Sequence, residues 1–135
     1  TLVEADIRTG DPISQRPLNR SWASGQSAAF SPDGTWLAVA DTYNIRVWNL
    51  NTFRELMPLI GSETLWSMRF APDNQHLFAG GSGKVDVWEF QRNARLQRQS
   101  IHRGYVHSLA VSADGSHFAA VGSIGGSLEV FSRNE

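Results

Sequence analysis

The sequence predicts an all-β chain, a partial β-propeller of four-stranded antiparallel blades, and two observations carry that expectation. The first is a turn that recurs. Ser31-Pro32-Asp33-Gly34 returns as Ala71-Pro72-Asp73-Asn74 after 40 residues and as Ser112-Ala113-Asp114-Gly115 after a further 41, each behind an apolar residue (Phe30, Phe70, Val111) and ahead of a short apolar run. In this chemistry Pro presets φ, Asp bonds its own backbone, and the closing Gly or Asn accepts a positive φ. The second is a marker in the same phase: Val47-Trp48, Val87-Trp88 and Val130-Phe131 close strand-like runs. A period near 40 with short strands inside each unit is the pattern of stacked blades, because a four-stranded blade cannot cover both of its faces alone. No segment keeps an apolar period of 3.6 over ten or more residues, so essentially no helix is expected.

Taken in order, Leu2 to Asp6 and Pro12 to Leu18 read as two strands joined by Arg8-Thr9-Gly10-Asp11, with Gly10 suited to a turn position of positive φ. Asn19 to Ser24 is a polar loop. The first unit then runs through Gln26 to Phe30, the marked turn, Trp36 to Ala40, a break at Asp41-Thr42-Tyr43, and Asn44 to Asn49, where Ile45 and Val47 oppose Arg46 and Trp48. Arg54 to Ile60 is its fourth strand, and Pro58 favours an edge position there. The second unit repeats the order with Leu65 to Phe70, His76 to Gly80, Val85 to Phe90 and Arg95 to Ile101. The third has Val106 to Val111, His117 to Val121 and Leu128 to Phe131, with no fourth strand. Phe30, Phe70 and Val111 are expected to fill the blade interfaces.

The 135 residues carry a net charge of -1 and are 41% hydrophobic, the profile of one ordinary soluble domain with no bias toward nucleic acid or membrane. The absence of Cys excludes disulfides and thiolate chemistry within the chain and leaves the redox compartment open. No apolar run approaches the roughly 20 residues of a membrane span, and a cytoplasmic location is expected. The chain begins at Thr1 and reads as a piece of something longer.

These residues resemble the WD40 repeat family. The likeness rests on the apolar strand, the Ser-Pro-Asp-Gly type of turn, the small-residue strand, and Ile45-Arg46-Val47-Trp48-Asn49 and Val85-Asp86-Val87-Trp88-Glu89 where the family has its Trp-Asp ending. Thr9-Gly10-Asp11-Pro12-Ile13 is similar to the link into an outer strand in bacterial members. The resemblance implies blade strands that run outwards from an axis. Residues 1–18 would then be outer strands of a preceding blade, 19–60 and 61–101 the first two blades, and 102–135 a third blade lacking its outermost strand, all in one partial propeller. It also implies a His, Ser/Thr, Asp and Trp network in each blade. Ser21, Gly61 and His102 hold the His position and Thr42, Ser82 and Gly125 the Asp position, so no repeat has the full set and packing is expected to dominate.

Several stretches invite a chemical reading that their spacing rejects. Gly80-Gly81-Ser82-Gly83-Lys84 fails as a phosphate loop, since Phe78 stands where a Gly is needed and Val85 follows Lys84. Gly122 to Ser127 has no helix after it and fails as a dinucleotide fingerprint. His102, His107 and His117 lie in different segments without Cys or close carboxylates, so no metal is expected. No Ser, His and carboxylate group into a nucleophilic triad, and neither enzyme activity nor a cofactor is expected. Asn19-Arg20-Ser21 matches a glycosylation triplet by pattern only. Arg92, Arg95, Arg98 and Arg103 form the one charge run, read either as a solvated edge strand guarded by charge or as an anionic or nucleic-acid binding face, on which Arg95 and Arg98 would not share a side.

The resemblance places a partner-binding rim at the starts of the inner strands, where the family commonly binds peptides. Gln26, Trp66 and His107 are equivalent there, as are Ser24, Thr64 and Tyr105 two residues earlier, with Asp41, Gly81 and Ile124 in the adjoining turns. The expected function is a protein- or peptide-binding scaffold, or an accessory domain of a larger signalling enzyme whose catalysis lies elsewhere. The strand count also predicts an open ring. Its missing blades would come from a longer parent chain, or from a second copy whose Pro12 to Leu18 pairs with the Leu128 edge.

Overall fold

The computed structural model describes residues 2–16, 25–41, 44–60, 65–122 and 128–133, with all side chains among them except those of residues 2, 14–16, 26, 66, 102 and 103. An antiparallel ribbon of β1 (Leu2–Ala5) and β2 (Pro12–Arg16) comes first. A meander of β3 (Gly25–Phe30), β4 (Trp36–Asp41) and β5 (Asn44–Asn49) follows, closed on its outer side by β6 (Arg54–Glu55) and β7 (Leu59–Ile60), which both pair with β5. The second blade holds β8 (Leu65–Phe70), β9 (His76–Glu89) and the first part of β10 (Ala94–Val111). The rest of β10, β11 (His117–Gly122) and β12 (Leu128–Ser132) make the third.

Two sets of left-handed residues keep the blades in phase. Gly34, Asn74 and Gly115 have φ of 74°, 59° and 74°, and each donates its N–H to the first residue of its turn (Ser31, Ala71, Ser112). Gly10, Phe53 and Asn93, with φ of 78°, 55° and 52°, occupy matching positions just before the outer strands. The repeat is therefore written in backbone conformation as well as in residue type.

The strands differ from expectation in four places. Arg54 to Ile60 is two short pieces rather than one strand: Leu56 still donates its N–H to the Val47 carbonyl on β5 at 2.8 Å, but Pro58 has no N–H for the ladder and residues 57–58 leave it. Their exposed carbonyls are used: the Asn93 side chain donates to the oxygens of Met57 and Pro58 at 3.3 and 3.2 Å. His76 to Gly80 and Val85 to Phe90, expected as two strands, are one strand, β9, with only a bend at Gly83, whose φ is 73°. Leu77 to Gly81 pair with β8, whereas Ser82 and the residues from Lys84 to Glu89 pair with β10. Arg95 to Ile101 and Val106 to Val111 are one continuous strand, β10, since nothing between them punctuates the chain except Gly104 at φ 78°. Phe90 leaves the strand and opens a 3-10 turn, Phe90–Arg92, where its ring meets Phe70 and Trp36 edge-on at 5.4 and 5.3 Å.

Two cores lie between blades. Ala38, Ala40, Ile45, Val47 and Leu59 of the first blade meet Met68, Phe70, Leu77, Trp88 and Phe90 of the second. Phe78, Val85 and Val87 on the second blade's other face meet Val106, Leu109, Phe118 and Ala120 of the third. The alternation at the Val-Trp endings works as a strand with both faces covered requires: Val47, Val87, Trp48 and Trp88 are all buried, with Val87 in one core and Trp88 in the other. Phe70 and Val111 pack into the interfaces as expected, but Phe30 is 66% exposed. Its face meets the β1–β2 ribbon across a cavity of about 380 Å³, lined by Val3, Phe30, Leu37, Leu50 and Phe53 among others, rather than a full blade.

Polar bonds also tie neighbouring blades together. Asp33 N–H donates to the Asn74 side-chain oxygen at 3.0 Å, and the Arg69 guanidinium donates to the Leu109 carbonyl at 3.2 Å. Arg133, after β12, lies 3.6 Å from the Asp73 carboxylate, which is itself 2.6 Å from the His76 ring.

Candidate rim and outer-strand sites

Each inner strand carries a β-bulge at its start, and the three bulges coincide. Gly25 pairs with Asp41, Leu65 with Gly81 and Val106 with Gly122, whereas the next pairs are Ser27 with Ala40, Ser67 with Gly80 and Ser108 with Val121. Gln26, Trp66 and His107 are thus the extra residues of three equivalent bulges. A bulge locally breaks the pleat and re-aims the side chain it carries, so these positions are released from the alternation that fixes their neighbours. His107 is exposed and Tyr105, paired with Ser82, is 48% exposed. The side chains of Gln26 and Trp66, and all of Ser24, Thr64 and Ile124, lie outside the described residues.

Asp41 and Gly81 were expected in turns and sit in strands instead. Asp41 closes β4 and pairs with Asn44; Gly81 lies inside the long β9. Their backbone groups continue the ladder, which extends sheet order to the rim. Beside Gly81, Gly80 has a packing role that the sequence analysis missed: a Cβ there would lie 2.4 Å from Cγ1 of Val106. The Gly-Gly pair was the available signal.

The outer strands hold two ion pairs of the same geometry and opposite polarity. Arg46 on β5 donates from Nε and Nη2 to the Glu55 carboxylate at 2.7 and 2.9 Å. In the next blade Asp86, at the position of Arg46, accepts from Nε and Nη2 of Arg98 at the same two distances. Arg46 also stacks 4.9 Å from the Trp48 ring centroid, and the bond to Glu55 raises its already high pKa. The arginine run is corrected accordingly. Arg95 faces Trp88 and Arg98 faces Asp86 because Leu96 is an extra residue between them, so Arg95 and Arg98 do share a side. Arg98 is balanced by Asp86, and Arg92 lies 3.6 Å from Glu89, which leaves less net positive charge on this face than the sequence suggested.

The turn carboxylates at the opposite end are held ionised by local bonds. Asp33 is lowered by the Ser31 hydroxyl and the Thr35 N–H, and Asp114 more strongly by the N–H and hydroxyl of Ser116 and the hydroxyl of Ser112. Burial pushes Asp73 up, but bonds from the Gln75 N–H and from His76 outweigh it and leave this carboxyl lowered. Among the described residues no group of three or more His, Asp or Glu side chains is arranged to hold a metal ion. None of their helices is long and apolar enough to cross a membrane.

Comparison with known proteins agrees with this geometry. An uncharacterized WD repeat-containing protein of Synechocystis is 29% identical over 100 residues, covering 72% of this chain and 28% of its own length. Guanine nucleotide-binding protein subunit beta-1 of Caenorhabditis briggsae is 28% identical over 121 residues, covering 84% of this chain and 34% of its own. The chain therefore spans about a third or less of these relatives. A solved structure of Kuenenia stuttgartiensis hydrazine synthase superposes with a TM-score of 0.79 over 95% of this chain and 38% of the other; at 17% identity that likeness shows the fold alone. The family model for the WD domain, G-beta repeat, matches residues 24–49, 54–89 and 94–132, and the chain belongs to the WD40 repeat family.

Proposed function

We propose that this chain is a non-enzymatic scaffold segment that binds another protein or a peptide at its rim, through Tyr105, His107 and Trp66 with Gln26, Asp41 and Gly81 beside them. The observation that carries this reading is the coincidence of the three bulges. One backbone device, repeated in three blades, falls on Gln26, Trp66 and His107, three different residue types at one equivalent position. Positions that packing alone dictates stay large and apolar, as Leu37, Leu77 and Phe118 do at one equivalent buried position of the three blades. Rigid sheets that display differing side chains at one end supply contact area with little ordering cost on binding. One relative is named as a subunit of a guanine nucleotide-binding protein, and the family generally serves as an interaction scaffold, which supports a protein partner.

The remaining blades would come from a longer parent chain, so the activity of that whole protein is not assigned by this segment. Peptides selected from a displayed random library on the immobilised chain test the rim. The expected result is that Trp66→Ala and Tyr105→Ala each weaken the selected peptides by more than about fivefold, roughly 1 kcal/mol, with unfolding midpoints retained. Peptides indifferent to both substitutions would remove the rim from consideration. An unfolded Trp66→Ala would make Trp66 a packing residue.

A further inference from the structure

We propose that His76 is a pH-sensitive latch between the second and third blades: when its ring is protonated, the Arg133 guanidinium leaves the Asp73 carboxylate and the end of β12 loosens from the second blade. The inference goes beyond the rim reading and starts from a comparison of the two blade seams. Trp36, His76 and His117 are equivalent, since the carbonyl of each accepts the N–H of the first residue of its turn (Ser31, Ala71, Ser112) at 2.9 Å. Phe90 and Arg133 are equivalent too, each two residues past the aromatic residue, Trp88 or Phe131, of its blade. Where the first two blades meet, the rings of Trp36 and Phe90 touch edge-on at 5.3 Å. Where the second and third meet, the same two positions hold His76 and Arg133, with Nη1 of Arg133 3.4 Å from Nδ1 of His76. One seam is closed at this point by apolar rings and the other by groups that carry charge.

Two small residues make room for the charged seam. Ala71 lacks the hydroxyl that Ser31 and Ser112 give to the carboxylate of their own turns, and Asp73 takes the His76 ring instead, with Nδ1 2.6 Å from Oδ2. Gly115 has no side chain where Asn74 reaches back to the N–H of Asp33. Arg133 lies in that space, its Nη1 3.7 Å from where a Cβ would stand and 3.6 Å from Oδ2 of Asp73. The other charged and titratable groups of the packed turns are engaged elsewhere: the Asp33 carboxylate with Ser31 and Thr35, that of Asp114 with Ser112 and Ser116, the His117 ring with Ser116, and the Arg69 guanidinium with the Leu109 carbonyl. His76 thus faces one carboxylate and one guanidinium.

Those two neighbours make opposite demands on one nitrogen. A guanidinium only donates, so a bond from Arg133 needs a lone pair on Nδ1, whereas the carboxylate needs a proton there. At 2.6 against 3.4 Å the carboxylate prevails, and Nδ1–H donates to Asp73. With a neutral imidazole, the charge of Arg133 balances that of Asp73, which is lowered from its ordinary value and stays ionised near neutral pH. An imidazolium places a second cation 3.4 Å from the first, and the two compete for one carboxylate. The bond from His76 to Asp73 strengthens on protonation, so Arg133 is the group displaced. Histidine changes charge between about pH 5 and 8, where the turn carboxylates keep theirs.

Hydrogen exchange of the whole chain at about pH 7.5 and about pH 5.5, corrected for the intrinsic rate at each pH, tests the latch. The expected result is that protection of β12 falls at least about fivefold on acidification, while that of β5, whose seam holds Trp36 and Phe90, changes by less than about twofold. His76→Gln and Arg133→Gln each leave at most one cation in the cluster, and each should remove the fall. Urea unfolding verifies that the variants fold, and either one alone carries the test. Unchanged protection of β12, or protection that rises on acidification, would overturn the proposal. An equal fall in β5, or a fall that persists in either folded variant, would overturn it as well, by tracing the loss to groups outside this cluster.

Discussion

At the scale of single residues, the two most informative positions are one with no side chain and one with the largest. Gly80 is buried against Val106, and a methyl group would enter the space that Cγ1 occupies, 2.4 Å away. Neither strand can move without disturbing the ladder, so Gly80→Ala is expected to destabilise by about 1–3 kcal/mol, as overpacking does. Val106→Ala in the same chain should recover part of that loss, because the two substitutions share one cavity. Urea unfolding of the single and double variants measures the coupling; strict additivity would show that the clash is relieved elsewhere. Trp88, buried in the first core, makes the converse case. Trp88→Ala should cost about 3–5 kcal/mol through the cavity left between the first two blades, and a midpoint close to that of the parent chain would contradict that packing.

At the scale of elements, what could be read from the sequence was whatever local chemistry determines. The Ser-Pro-Asp-Gly turns were legible because Pro, Asp and Gly or Asn dictate a conformation without help from afar, and all three closing residues have the positive φ that the chemistry demands. Strand pairs were legible from the period. The bulges were not, because a bulge depends on the partner strand, and so the equivalence of Gln26, Trp66 and His107 could be read while their release from the pleat could not. The ion pairs were hidden for a related reason. Leu96 shifts the phase of β10, and Arg98 reaches Asp86 only after that shift. Asp86→Ala should cost about 2–4 kcal/mol, somewhat below a fully buried pair because the Arg98 side chain is 29% exposed. Asp86→Ala together with Arg98→Met should recover most of it, and a double variant as unstable as the single one would contradict the pairing. The turns also set a pH response. Asp33, Asp73 and Asp114 are all lowered from the ordinary value of 3.8, so the unfolded chain binds more protons than the folded one in that range. Their stabilisation is present above pH 4 or so and is lost as pH falls through the folded values. The urea midpoint should decline on acidification from about pH 6 to pH 3, and Asp114→Asn should flatten that decline. A midpoint that rises on acidification would reverse the sign of this account.

At the scale of the whole molecule, the described residues form stacked blades whose two end faces have no further blade against them among those residues. Phe30 is exposed on the face that meets only the β1–β2 ribbon, and Leu128 and Val130, at 65% and 64% exposure, lie on the far face of the third blade. A stacked array needs both end faces covered, and an open strand edge beside exposed apolar residues is a template for association. The rim proposed for partner binding depends on the same stacking, since only blades held in phase align their bulges. Light scattering coupled to size exclusion, run over a range of concentrations, tests this most directly. Stacked blades with exposed end faces predict a mass above 14.9 kDa that rises with concentration; a monodisperse, thermally cooperative monomer of 14.9 kDa at every concentration would contradict it.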